Sequence, residues 1–162
     1  MNTPELTVGA FIIDDSGKLL LVVSPKWGYL YSIPGGHVDH GEKIFQAVVR
    51  EAWEEVGLKV KPVRVIAVQE VINPRHFKSR RRHFVFVDVL CKALNDRVLV
   101  DGEEIVGYIW KEPGHAFELP MESYTRRLVK FYVHSKGDSI LFALDGWRQV
   151  LKQEQRQLRW LL

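Results

Sequence analysis

The stretch from Gly36 to Leu58, GHVDHGEKIFQAVVREAWEEVGL, limits what this chain can fold into more than any other. A helix advances about 100° per residue, so positions three or four apart share a face. Over residues 43–56 the pattern predicts a helix whose apolar arc is Ile44, Phe45, Val48, Val49, Ala52, Trp53 and Val56. Such an arc is wide enough to pack against a sheet. Glu51, Glu54 and Glu55 fall together on the neighbouring arc, and Glu55 lands on the edge of the apolar one.

Three carboxylates at this spacing repel one another by about 0.2–0.5 kcal/mol per close exposed pair. They also sit in the last turns, where the helix dipole favours cations. Arg50, four residues before Glu54, offsets one charge at most. A solvated acidic face would place its acids near the helix start and mix them with lysines, and this helix does neither. A bound divalent cation removes the conflict, and clustered hard oxygens suit Mg²⁺ or Mn²⁺. Gly35-Gly36 after Pro34 reads as a turn that brings backbone carbonyls close to such an ion. Gly57 reads as a left-handed helix cap, with Leu58 as the apolar residue beyond it. His37, Asp39 and His40 resemble zinc ligands in isolation, but no second nitrogen or sulfur pair accompanies them.

Gly36, Glu42, Arg50-Glu51, Glu54-Glu55 and Gly57, at this spacing, resemble the complete box of the Nudix (MutT-like) hydrolases. Seven fixed positions match by chance roughly once in 10⁸ starting points. The resemblance implies an α/β/α sandwich with a mixed β-sheet. It also implies a Mg²⁺-dependent pyrophosphohydrolase (Mn²⁺ substituting) that cleaves a nucleoside diphosphate linked to a moiety X. Carried onto this sequence, Glu51, Glu54 and Glu55, with a carbonyl of Gly35 or Gly36, are the expected metal ligands. Arg50 orients the carboxylates, and Glu42 ties the loop to the helix start or joins a water-mediated shell. Glu51 is the first choice of general base. Glu103 or Glu104, in a later loop, is the alternative base or extra ligand.

The remainder of the chain predicts the rest of that fold. With 46% hydrophobic and 27% charged residues it has the composition of an ordinary globular domain, and its length suits one. Residues 6–13 and 18–23 read as a β-hairpin around the turn Asp14-Asp15-Ser16-Gly17. Further strands are expected at 31–33, at 60–71 with an early break at Pro62, at 83–90 and at 105–111. Asp88 breaks the apolar run of 83–90 without an evident role. A second helix over 120–134 points Tyr124, Leu128, Phe131 and Tyr132 to the core, so that two helices cover two faces of a mixed sheet. The reading thus gives a Nudix domain over 1–135 and an extension over 136–162. The extension holds a strand at 139–144 and a final helix with an apolar stripe at Trp147, Val150, Leu151, Leu158 and Leu161. That stripe docks on the same domain or makes a homodimer contact.

Trp27 and Tyr29 are candidates for stacking on a nucleobase, with a place in a small core as the alternative. Arg80, Arg81 and Arg82 belong to a basic loop suited to substrate phosphates. Cys91, the single cysteine, lies in an apolar run and reads as a buried inert thiol. The N-terminus has no basic segment followed by an apolar core, and no apolar run approaches the ~20 residues that span a bilayer, so a cytoplasmic location is expected. The expected partner is a nucleotide-derived small molecule. The net charge of +3 leaves RNA 5′-end hydrolysis open as an alternative, together with a non-catalytic nucleotide-binding regulator.

Overall fold

The N-terminal apolar run turns back on itself because Asp14 caps the turn: its carboxylate accepts from Ser16 N, Ser16 Oγ and Lys18 N at 2.8–2.9 Å. Gly17, at φ 83°, closes it. The hairpin strands are Glu5–Ile13 (β1) and Leu19–Val23 (β2). The computed structural model describes residues 3–74, 82–135 and 139–144. Within these follow Tyr31–Ser32 (β3), Gly35–His37 (β4), Ile44–Val56 (α1), Val60–Ile72 (β5), His83–Ala93 (β6), Gly107–Lys111 (β7), Ser123–His134 (α2) and Leu141–Ala143 (β8).

The sheet runs β3-β2-β1-β6-β5-β8, with β4 also on β1 and β7 also on β2. β6 lies parallel to β1 and antiparallel to β5, so the sheet is mixed as expected. Alternation along β1 sends Val8, Ala10 and Ile12 to one face, where they pack with Ala47, Val48, Ala52 and Val56 of α1. Phe11 faces the other way and packs with Ile66, Leu128 and Val129, the last two from α2. Each fully buried side chain such as Leu128 contributes about 1.5–3 kcal/mol. The result is the α/β/α sandwich. Pro62 coincides with a bulge in the β5–β6 pairing, which spares a central ladder the loss of its N–H.

Three local expectations are corrected. The buried side of α1 is Ala47, Val48, Glu51, Ala52 and Val56, with Ile44 packed against the same core. Phe45, Val49 and Trp53 are exposed instead, at 42, 38 and 54%. The helix is rotated relative to its apolar arc because Glu51 is drawn inward. Gly35 and Gly36 form a strand on β1 rather than a turn. They need no positive φ: a Cβ at Gly35 would lie 2.1 Å from Val8 O, so close strand approach is what demands glycine. Helix α2 starts at Ser123, where the Glu122 carboxylate accepts from Tyr124 N at 2.6 Å. Its buried residues are Thr125, Leu128 and Val129, while Tyr124, Phe131 and Tyr132 are half-buried.

In the C-terminal extension, β8 pairs parallel with β5 through Ala67–Leu141, Val68–Phe142 and Gln69–Ala143. The anticipated final helix lies outside the described residues. Among the described residues no helix is long and apolar enough to cross a membrane.

Candidate active site

Helix α1 carries its acids to the place where β4 crosses its face. Gly57, at φ 66°, ends the helix as predicted, its N–H reaching Trp53 O at 3.0 Å. Glu51 is buried at 9% exposure directly under Gly36, and a Cβ there would sit 2.4 Å from Glu51 Oε1. The missing side chain at Gly36 is therefore what makes room for the carboxylate.

Arg50 organises the acids. Its Nε and Nη2 donate to the two oxygens of Glu42 at 3.0 and 2.9 Å. Its Nη1 donates to Glu51 Oε1 at 2.7 Å and Glu54 Oε2 at 3.1 Å, and Nη2 also donates to His37 O at 2.9 Å. All five guanidinium donors are engaged, a fork no lysine could reproduce. The pairing holds Glu42 below the usual carboxylate range, with help from Asp39 N donating at 3.1 Å to Glu42 Oε2. It also raises the pKa of Arg50 itself, Glu42 being the largest cause. Among the described residues no three His, Cys, Asp or Glu side chains stand close enough to share one ion. The Arg50 guanidinium lies between Glu51 and Glu54.

Glu55 is half-buried, on the edge of the helix face as expected. Gly35 N donates to it at 2.8 Å. Burial pushes its carboxyl up to about 8, against the Gly35 bond, and Glu51 and Glu104 add to the rise while Lys26 opposes it. Glu55, Glu103 and Glu104 line one cleft together with Lys26 and Trp27. The loop acids are set by Asp101, whose Oδ1 accepts from Glu103 N, Glu104 N and Ile105 N at 2.9–3.1 Å.

A second cavity adjoins the first on the α2 side of the sheet, and Lys26, Trp27 and Gly35 line both. Trp27 stands 6.2 Å from the rings of Phe84 and Phe86 and 6.3 Å from Tyr124, so it forms part of an aromatic wall. Tyr29 is 65% exposed and lines neither cavity, so the structure does not bring it to the site. Arg82 pairs through two nitrogens with Glu5 and lies over the Phe84 ring at 4.9 Å. Arg80 and Arg81 lie outside the described residues. His37 bonds Glu5 at 2.8 Å through Nε2. Sequence reasoning missed Gln69 and Asp88 on the cavity floor. The one signal was an acid in an otherwise apolar strand.

The Nudix domain profile matches residues 3–132 of the chain. The chain belongs to the Nudix family. It is similar to a putative 8-oxo-dGTP diphosphatase of Bacillus subtilis, with 32% identity over 109 residues covering 67% of this chain and 68% of that protein. It is also similar to Nudix hydrolase 8 of Arabidopsis thaliana, with 28% identity over 121 residues. That match covers 72% of this chain but 32% of the plant protein, so the chain spans about a third of that relative. Among solved structures, an ADP-ribose pyrophosphatase from Streptococcus suis superposes with a TM-score of 0.62 at 25% identity. It covers 86% of this Nudix chain and 99% of its own.

Proposed function

We propose that this Nudix chain is a divalent-metal-dependent pyrophosphohydrolase that cleaves a nucleoside diphosphate linked to a further group. The observation that carries the reading is the carboxylate set of α1. Glu51 is buried under the missing side chain of Gly36, Glu54 is tied to it through Arg50, and Glu55 is desolvated beside Gly35. A carboxyl whose burial resists ionisation has a use once a cation faces it. The donor chemistry, hard oxygens alone, fits Mg²⁺, and Mn²⁺ shares the preference. Glu51, Glu54 and Glu55, with the Gly35-Gly36 backbone, would hold it once the two acids bridged by Arg50 turn towards the ion, since as they stand no three of them share one point. Bound there, such an ion would supply neutralisation of phosphate charge and a lowered pKa for a water.

The chain's own groups do the positioning that phosphoryl transfer mostly requires. Arg50 fixes the rotamers of Glu42, Glu51 and Glu54, and Glu42 ties the loop at Asp39 to the helix. Lys26 lines both cavities and offers positive charge between them. Glu51 is assigned as the base, with Glu103 and Glu104 across the cleft as the alternative source. The aromatic cavity is assigned to the nucleoside, and the pairing of β8 with β5 supports reading residues 139–144 as part of the same domain.

The test is phosphate release from a panel of nucleoside diphosphate derivatives with Mg²⁺, with and without added phosphatase, beside the Glu54→Gln variant. Glu54 has a side chain 56% exposed, so the variant should keep its melting temperature within the effect of about 0.5 kcal/mol while losing turnover. Retained turnover in Glu54→Gln would sink the metal assignment.

A further inference from the structure

The α2-side cavity has a polar floor that the phosphate chemistry does not use. Gln69 and Asp88 stand on the neighbouring strands β5 and β6, at 2 and 3% exposure, and both line the cavity. Gln69 Nε2 donates to Asp88 Oδ2 at 2.7 Å, while the buried Gln69 Oε1 has no hydrogen-bond partner. Native chains leave few such acceptors without a partner, and each one calls for an account. The surroundings are shaped around the pair. A Cβ on Gly9, which faces Asp88 in the β1–β6 register, would fall 2.3 Å from Asp88 Oδ1. Aromatic rings of Trp27, Phe86 and Tyr124 stand around the same space, and it reaches Gly35 and Gly36 of the box loop.

We propose that Gln69 and Asp88 are specificity-determining residues that select the ring of the substrate by accepting two neighbouring N–H groups, a guanine-type edge. This rests on the hydrolase reading above, which places the diphosphate of the same molecule at Gly35-Gly36. The Gln69 amide nitrogen is engaged with Asp88 Oδ2, so once Asp88 is ionised, above about pH 7, the pair offers Gln69 Oε1 and Asp88 Oδ1 as two acceptors, and the binding test is run at pH 8. Of the four common bases only guanine shows two adjacent donors on one edge, N1–H and the exocyclic amino group. Adenine and cytosine set one amino group beside a bare ring nitrogen, and uracil sets one N–H between two carbonyls. The aromatic wall supplies the flat contact that any base would use. The polar floor then decides which base stays, because a site built to hydrogen-bond a donor rejects the analogue that lacks it.

The test is equilibrium binding of guanosine, inosine and adenosine 5′-diphosphates to the full chain, the wild type beside Gln69→Leu and Gln69→Leu/Asp88→Leu. Inosine lacks only the exocyclic amino group. Guanosine diphosphate should bind at least roughly tenfold more tightly than the other two. With Gln69 accepting from the exocyclic amino group and Asp88 from N1–H, the gap should fall to within twofold in both variants, inosine diphosphate being little changed in Gln69→Leu and weakened in the double variant. The double variant replaces both polar groups by apolar ones and guards against misfolding of the single one. Equal binding of guanosine and inosine diphosphates to the wild type, or no binding of either, overturns the proposal without any variant. So does a gap that survives Gln69→Leu. Hydrolysis with Mg²⁺ of the same three nucleoside diphosphates extended by a further group, as 5′-triphosphates and as diphosphate sugars, separates the two readings. A guanosine preference without cleavage refutes the hydrolase and keeps the pair, and cleavage without preference does the reverse.

Discussion

Replacing Asp88 by Asn should make this protein more stable at neutral pH and leave it unchanged in acid. Asp88 sits in the centre of the sheet at 3% exposure, and burial pushes its carboxyl up to about 7 from the ordinary 3.8, against the lowering effect of Gln69. The sign follows from proton counting. Between those two values the folded chain holds a proton that the unfolded chain has released, so stability falls as pH rises. The fall starts near pH 4 and levels off above about pH 7. At about 1.36 kcal/mol for each step of pH, the gap amounts to about 4 kcal/mol as a ceiling. Asn presents an oxygen to the Gln69 amide just as Asp does, but it never ionises. Urea unfolding of both proteins across pH 4 to 8 isolates the effect, because every other titrating group is common to the two. The two curves should coincide near pH 4, with the Asp88→Asn variant pulling ahead by up to about 4 kcal/mol at pH 8. A difference that does not change with pH would refute the reasoning, and so would a variant less stable than wild type at pH 8.

Other outcomes follow from the same geometry. Gly36→Ala puts a methyl group 2.4 Å from Glu51 Oε1, so the carboxylate must move by about an ångström. Turnover should fall roughly 100-fold while circular dichroism still shows a folded chain. Mg²⁺ at 100 times its dissociation constant should stabilise the protein by about 2.7 kcal/mol in thermal melts, and Glu54→Gln should blunt that gain. Cys91 is buried and its thiol pushed up to about 12 by desolvation, so the native protein should resist a maleimide that labels the urea-unfolded chain within minutes.

Much of the site could be read from the spacing of Gly36, Glu42, Arg50, Glu51, Glu54, Glu55 and Gly57, because a helix converts spacing into a shared face. The unfavourable placement of three acids near the helix C-terminus is what pointed to a use for that face. Hydrophobic periodicity alone set the rotation of α1 wrongly. It treats Trp53 as inward and Glu51 as outward, whereas Arg50 and the empty space over Gly36 make the buried position tolerable for the acid. The two glycines were misread for a related reason. A sequence shows a glycine pair, which suggests a turn, but not that Val8 O stands 2.1 Å from where a side chain would begin.

Local chemistry therefore determined the elements. The Asp14 turn, the alternation of β1, the break at Pro62 and the Gly57 cap each rest on residues a few positions apart, whose backbone preferences act before any tertiary contact forms. The carboxylate helix belongs to the same class. Long-range packing decided what surrounds it. Gln69 and Asp88 meet only because β5 pairs with β6 in one register, and Gly9 opposes Asp88 only because β1 lies parallel to β6. Nothing near Asp88 in the sequence announces an amide from β5 or a glycine from β1, since a ladder joins residues that the chain itself keeps far apart. The same holds for Glu55, Glu103 and Glu104, which share a cleft because the loop after β6 folds back beside α1. The proposed metal-binding acids thus lie along one helix, while the cavity beside them exists only once the sheet has closed.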